Sequence, residues 1–183
     1  MVPLLALLIL GIAVVAVVAS YNGLITLRNQ VKNAWQQIGV QLKRRHDLIP
    51  NLVEVVKDYM GYEQETLEKV IRARNQALTA TGVQGTAAAE GALSGALRSL
   101  FAVVESYPQL KANESVARLQ EELTSTENRI AFSRQFYNDG VMRYNTKIQV
   151  FPTNLLASIF GFNEELFFEI PVAEQEPVKV DLR

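Results

Sequence analysis

Residues 2–19 contain no charged side chain and almost no polar one, and the first charge along the chain is Arg28. A bilayer core of ~30 Å takes about 20 apolar residues in helical form, so this stretch is long enough to span. Val17 and Ala19 also resemble the small residues before a signal-peptide cleavage site. Against cleavage, Met1-Val2-Pro3 supplies no basic leader and the helical pattern continues past Ser20 without a break. A retained anchor over residues 1–27 is therefore the favoured reading. Arg28 and Lys32 follow the span closely, and Lys43, Arg44 and Arg45 come soon after, with no basic residue ahead of it. Positive residues stay inside, so the expected topology is single-pass, N-terminus outside, with the rest of the chain cytoplasmic.

The 183 residues leave room for one compact domain beyond the anchor, and a net charge of −1 gives no field that would favour nucleic acid. Cysteine is absent, which excludes disulfides, thiolate metal sites, a cysteine nucleophile and a lipobox anchor. His46 is the sole histidine. A di-iron bundle site needs two Glu-x-x-His pairs, but Lys43 stands three before His46 and no second histidine exists. No G-x-S-x-G elbow accompanies His46. Gly82-Val83-Gln84-Gly85 lacks the lysine of a phosphate loop. Neither a catalytic site nor a cofactor is expected.

Beyond the anchor, apolar residues recur at steps of three and four. Leu24, Val31, Trp35, Ile38, Leu42, Ile49, Leu52, Val56 and Tyr59 form one stripe continuous with the membrane helix. Arg45 falls on that stripe, Pro50 should kink it, and Met60-Gly61 should end or bend it. A second helix is expected over residues 63–81, with Leu67, Val70, Ile71, Arg74 and Leu78 on one side, then a loop over 81–86. A third helix is expected over 87–106, stopped by Tyr107-Pro108. Asn113 can cap a long fourth helix, which carries Val116, Leu123, Ile130, Tyr137, Tyr144 and Ile148 and breaks at Phe151-Pro152. The expected fold class is all-α: an N-terminal transmembrane helix continuing into an antiparallel four-helix bundle with long first and fourth helices. The expected division is an anchor over 1–27, a bundle over 28–150, an aromatic-rich segment over 151–168 and an extended tail over 169–183, with a hint of strand in Val178 to Leu182.

Several surfaces are candidates for contact. Arg28 and Lys32 lie near enough to the span to meet headgroups. Lys43-Arg44-Arg45 stands too far along an upright helix for that and either pairs with acidic residues or forms a solvated face. Phe151, Leu155, Leu156, Ile159, Phe160 and Phe162 crowd a short segment that either closes the bundle or dips into the membrane interface. Ala87, Gly91 and Gly95 form a ridge at four-residue spacing, which permits close packing inside the bundle or against a second chain. Ala16 with Ser20, and Ala19 with Gly23, repeat that spacing in the anchor.

The runs Trp35-Gln36-Gln37-Ile38, Lys43-Arg44-Arg45-His46-Asp47-Leu48-Ile49-Pro50-Asn51-Leu52-Val53 and Val56-Lys57-Asp58-Tyr59 resemble the first helix of LemA proteins. The likeness extends through Tyr107-Pro108-Gln109-Leu110-Lys111-Ala112-Asn113, Leu119-Gln120-Glu121-Glu122-Leu123, Thr126-Glu127-Asn128-Arg129-Ile130-Ala131, Phe136-Tyr137-Asn138, Tyr144-Asn145 and Phe151-Pro152. His46 stands where the family tolerates several residues, and Tyr62 where a histidine is common. The resemblance implies a bacterial cytoplasmic-membrane protein without an established activity, a related branch being tied to organelle membranes in magnetic bacteria. The expected function is a non-enzymatic, membrane-anchored scaffold that self-associates, using Arg45, Gly91 and Gly95 as contacts between copies, with the lipid bilayer as its other partner. The alternative is a tethered adaptor that recruits an unidentified soluble protein without assembling.

Overall fold

A computed structural model of the chain describes residues 2–61 and 63–169. Among them are six helices and no strand: α1 (Val2–Lys57), α2 (Gln64–Thr79), α3 (Gly82–Glu105), α4 (Pro108–Lys111), α5 (Glu114–Gln149) and α6 (Thr153–Phe160). The all-helical class holds, while α4 and α6 are additions to the four helices expected. The tail over 169–183, apart from Glu169, lies outside the described residues, as do its strand hint and Tyr62. The chain divides into two compact units, one of residues 1–37 and 133–166, the other of residues 38–132 and 167–183.

In the second unit, Ile49, Leu52, Val56 and Met60 pack with Leu67, Val70, Ala73 and Ala77 of α2 and with Leu93, Leu97, Leu100 and Val104 of α3. Leu110 of α4 and Val116 and Leu123 of α5 complete this core. Two details of the expected seams shift. Tyr59 is exposed because α1 ends at Lys57, and the following turn brings Met60 inward instead. Ile71 and Leu78 also face outward, since the buried side of α2 runs through the small residues Ala73 and Ala77. Choosing the inward face by side-chain size favoured the wrong turn of the helix.

The loop expected over 81–86 is helix. Gly82 takes φ +72°, a left-handed conformation that glycine adopts at no steric cost, so the chain reverses within two residues and α3 begins at once. The Thr86 hydroxyl donates to the Gly82 carbonyl at 2.7 Å. Asn113 caps α5 as expected: its Oδ1 accepts from the amides of Ser115 at 2.9 Å and Val116 at 3.3 Å. α3 is apolar and long enough to cross a membrane by composition alone. Its apolar residues are nevertheless those of the core just described.

In the first unit the buried residues are Leu24, Val31 and Ala34 of α1, Tyr137, Val141, Tyr144 and Ile148 of α5, and Thr153, Ala157 and Phe162 in and after α6. The side chains of residues 3–18 are exposed throughout, and that stretch is where α1 is long and apolar enough to cross a membrane.

Candidate membrane-interface site

Burial begins abruptly on α1. Residue 18 is exposed, Tyr21 is half-buried and Leu24 is fully covered. From residue 3 to residue 21 a helix rises ~27 Å at 1.5 Å per residue, close to the ~30 Å of a hydrocarbon core. Tyr21 thus marks where the exposed apolar run ends, and α6 meets the helix there. The Phe160 ring stands edge-on to Tyr21 with centroids 4.9 Å apart, and Phe162 does the same at 5.8 Å. Such edge-to-face pairs add ~0.5–1.5 kcal/mol beyond the area they bury.

α6 offers its outer side to the surroundings. Phe151 is 79 % exposed, Ile159 74 %, and Leu155 and Phe160 more than half. Leu155 and Ile159 are one turn apart and so share a face. Leu156 is half-buried. Phe162 is 8 % exposed and attaches the segment fully; Phe160 touches Tyr21 along one edge with more than half of it left open, and Phe151 faces outward. Of the two basic candidates, Lys32 is exposed and Arg28 is half-buried, with its charge acting on Tyr144.

The segment is held by a polar strap. After α6, Gly161 turns the chain with φ +69° and the backbone runs on without regular structure. Its carbonyls would lack partners, and α5 supplies them. The Tyr137 hydroxyl donates to Leu166 O at 2.8 Å and the Tyr144 hydroxyl to Asn163 O at 2.9 Å. Asn145 pairs with Glu165 twice, Nδ2 donating to its carbonyl and Oδ1 accepting from its amide, both at 2.9 Å. Gln149 Nε2 donates to Glu164 Oε1 at 2.7 Å. The Thr153 hydroxyl bonds the carbonyls of Lys147 and Val150 at the start of α6. Burial first, and the nearby Glu165 carboxylate second, push the Tyr137 phenol up to about 12. Tyr144 is raised mainly by burial, which Arg28 opposes. Both phenols stay protonated as donors at neutral pH. Trp35 packs its ring 5.5 Å from that of Tyr137. Sequence reading named the apolar residues of this site but missed the strap; the available signal was two tyrosines, Tyr137 and Tyr144, on the inward seam of α5, with Asn145 beside the second.

The second unit carries a buried charge centre that sequence reading saw only in part. Arg45 is 3 % exposed, and its Nη1 donates to Glu90 Oε2 at 3.4 Å while Nη2 donates to Ser94 Oγ at 2.9 Å. His46 Nε2 lies 2.6 Å from the other Glu90 oxygen, and a carboxylate acceptor there places the proton on that nitrogen. The outer members of the basic triplet pair separately, Lys43 with Asp47 at 2.8 Å and Arg44 with Glu122 at 3.8 Å, both exposed. The hydrogen bond from Lys43, foremost, holds the Asp47 carboxyl below its ordinary value. Arg45 therefore finds its partner inside its own chain. Gly91 is buried as well, and an added Cβ at Gly95 would meet nothing within 4 Å. Of the three residues expected to join two copies, Arg45 and Gly91 are thus buried within the chain, and Gly95 faces open space. No cluster of three or more histidine, aspartate or glutamate ligands occurs among the described residues.

The LemA family model matches residues 34–182, which takes in both the strap and the charge centre. The magnetosome protein MamQ 2 of Paramagnetospirillum magneticum is 26 % identical across 96 % of this chain and 76 % of its own length. The magnetosome protein MamQ of Magnetospirillum gryphiswaldense is 25 % identical across 93 % and 75 %. Protein LemA of Metamycoplasma hominis is 29 % identical across 95 % and 79 %. With a family match over most of its length and a strap built from the same residues that carry the likeness, this chain belongs to the LemA family.

Proposed function

We propose that the protein is a non-enzymatic scaffold of the bacterial cytoplasmic membrane. Residues 1–27 anchor it with the N-terminus outside, and the helices over 28–150 form a cytoplasmic bundle. α6 rests in the bilayer interface beside the anchor. The observation that carries this reading is the contact of Tyr21 with Phe160 and Phe162, which fixes an exposed apolar helix at the end of a bilayer-length apolar stretch. Tyrosine is enriched at that level of a membrane. A protein that enters one leaflet beside its own anchor is suited to organising or reshaping that leaflet, which fits its likeness to magnetosome proteins.

Self-association belongs to this proposal, carried by the anchor. The exposed residues Ala16 and Ala19, with half-buried Ser20 and Gly23, leave small-residue faces where membrane helices approach closely, and nothing lies within 4 Å of a Cβ added at Gly23. A second reading, the adaptor, has its own support in a groove of about 460 Å³ lined by Ile49, Pro50, Val53, Ile71 and Arg74 among others. The mass of the full chain in nanodiscs, by light scattering, separates the two. Assembly that disperses when Ala19 and Gly23 are both replaced by Leu supports the scaffold, and a monomer at micromolar concentration replaces it with the adaptor.

A further inference from the structure

We infer that α6 enters the bilayer by a charge-independent route, governed by how tightly the acyl chains and headgroups are packed and not by anionic lipid. The inference rests on the interface reading above. The 14 residues from 150 to 163 contain no charged side chain. The first charges after them are Glu164 and Glu165, which anionic headgroups repel. A peripheral amphipathic helix ordinarily carries Lys and Arg on its polar face, and these draw it to anionic lipid before its apolar side inserts. α6 has no such residues, and the anchor does their work: a helix already tied beside a membrane span has its local concentration fixed by the tether.

The cations of the same unit do not restore the missing attraction. Measured from Tyr21, where α6 sits, Arg28 lies ~10 Å and Lys32 ~16 Å along α1, about one and two screening lengths at physiological salt, so the headgroup contact expected of them adds little attraction at α6. Arg143 and Lys147, toward the end of α5, are matched in number by Glu164 and Glu165, and Arg134 lies further back along that helix. What remains for recognition is the set of exposed side chains Phe151, Leu155, Ile159 and Phe160. Bulky apolar groups enter where lipid packing leaves gaps over the acyl chains. The preferred surface is thus a loosely packed bilayer of unsaturated lipid, whatever its headgroup charge.

The chain has no cysteine, so Ile159→Cys gives a single labelling site, and at 74 % exposure a nitrobenzoxadiazole label there leaves the interior intact. The labelled full chain is reconstituted in vesicles of dioleoyl phosphatidylcholine, alone, with added phosphatidylglycerol, and with added cholesterol. The expected result is a blue-shifted emission that is the same with and without phosphatidylglycerol, insensitive to salt, and lost as cholesterol tightens the bilayer. A second variant, Leu155→Lys, is expected to make the shift depend on phosphatidylglycerol. A shift that the labelled parent shows only with phosphatidylglycerol, or one abolished by salt, overturns the inference and leaves the interface reading standing. No shift in any vesicle, with the anchor still resistant to extraction by alkali, overturns both.

Discussion

Glu90 sits on α3 with both carboxylate oxygens engaged, one by Arg45 and the other by His46. Removing it leaves the Arg45 guanidinium buried with only Ser94 as a partner, and breaking a buried pair in this way costs ~3–5 kcal/mol. Glu90→Ala is therefore expected to lower the denaturation midpoint of the full chain in detergent markedly. The triple change Arg45→Met, His46→Leu and Glu90→Leu should recover most of that loss, since a well-packed apolar cluster needs no counter-charge, whereas Arg45→Met with Glu90→Leu alone should recover less because buried His46 loses its acceptor; circular dichroism against denaturant reads all three. Arg45 was legible in the sequence as a charge on an apolar stripe, but Glu90 was not, because the small residues around it drew the reading of α3 toward its glycines. Its visible sign was a carboxylate three residues from each of the core positions Ala87 and Leu93. Tyr137 makes a second case. A phenol raised from 10 to about 12 by burial binds its proton in the folded chain while the unfolded chain loses it. The stability it contributes is complete below pH 10 and falls as pH rises from there toward 12. Tyr137→Phe should cost about 1 kcal/mol at neutral pH through loss of the bond to Leu166, yet decline less steeply in alkali, as denaturation at a series of pH values would show.

Pro50 acts on α1 through the hydrogen bond it cannot make. Within an α-helix the carbonyl of residue 46 would accept the amide proton of residue 50, and proline has none. α1 continues through this point, and the orphaned His46 carbonyl accepts instead from Arg74 Nε of α2 at 2.8 Å. A proline in one helix thus creates a binding point for the next. The two residues should be coupled: Arg74→Met is expected to cost ~1–2 kcal/mol in the parent chain and clearly less in a Pro50→Ala background, where residue 50 supplies the missing donor. Equal costs in a double-mutant cycle would separate them. The kink expected at Pro50 came from the right physics, the lost donor, without its remedy, since Arg74 lies 24 residues on and was assigned to a packing stripe. Helix existence followed from periodicity and from capping at Asn113. Boundaries near glycine did not, because Gly82 at φ +72° opens α3 directly after the two-residue link of Ala80 and Thr81, where the local pair Gly82 and Gly85 read as a loop.

At the scale of the whole molecule, the apolar stretch before Arg28 and the basic residues after it jointly imply an orientation. Placing the helices after Tyr21 outside would require translocating Arg28, Lys32 and the triplet at 43–45, all within the distance over which flanking charge decides topology. The segment 151–160 was half legible: its aromatic density is plain in the sequence, whereas its position beside Tyr21 depends on a strap of side chain to backbone bonds that no periodicity encodes. The proposed topology places everything after the anchor, α2 included, on the cytoplasmic side, and Asn75 is an exposed position on α2. Because cysteine is absent, Asn75→Cys reports on one site alone. A membrane-impermeant maleimide should leave this variant unmodified in intact cells and modify it fully once the membrane is permeabilised. Modification in intact cells would reverse the topology. It would place α6 in the outer leaflet and leave the five basic residues between 28 and 45 on the side that positive charge disfavours.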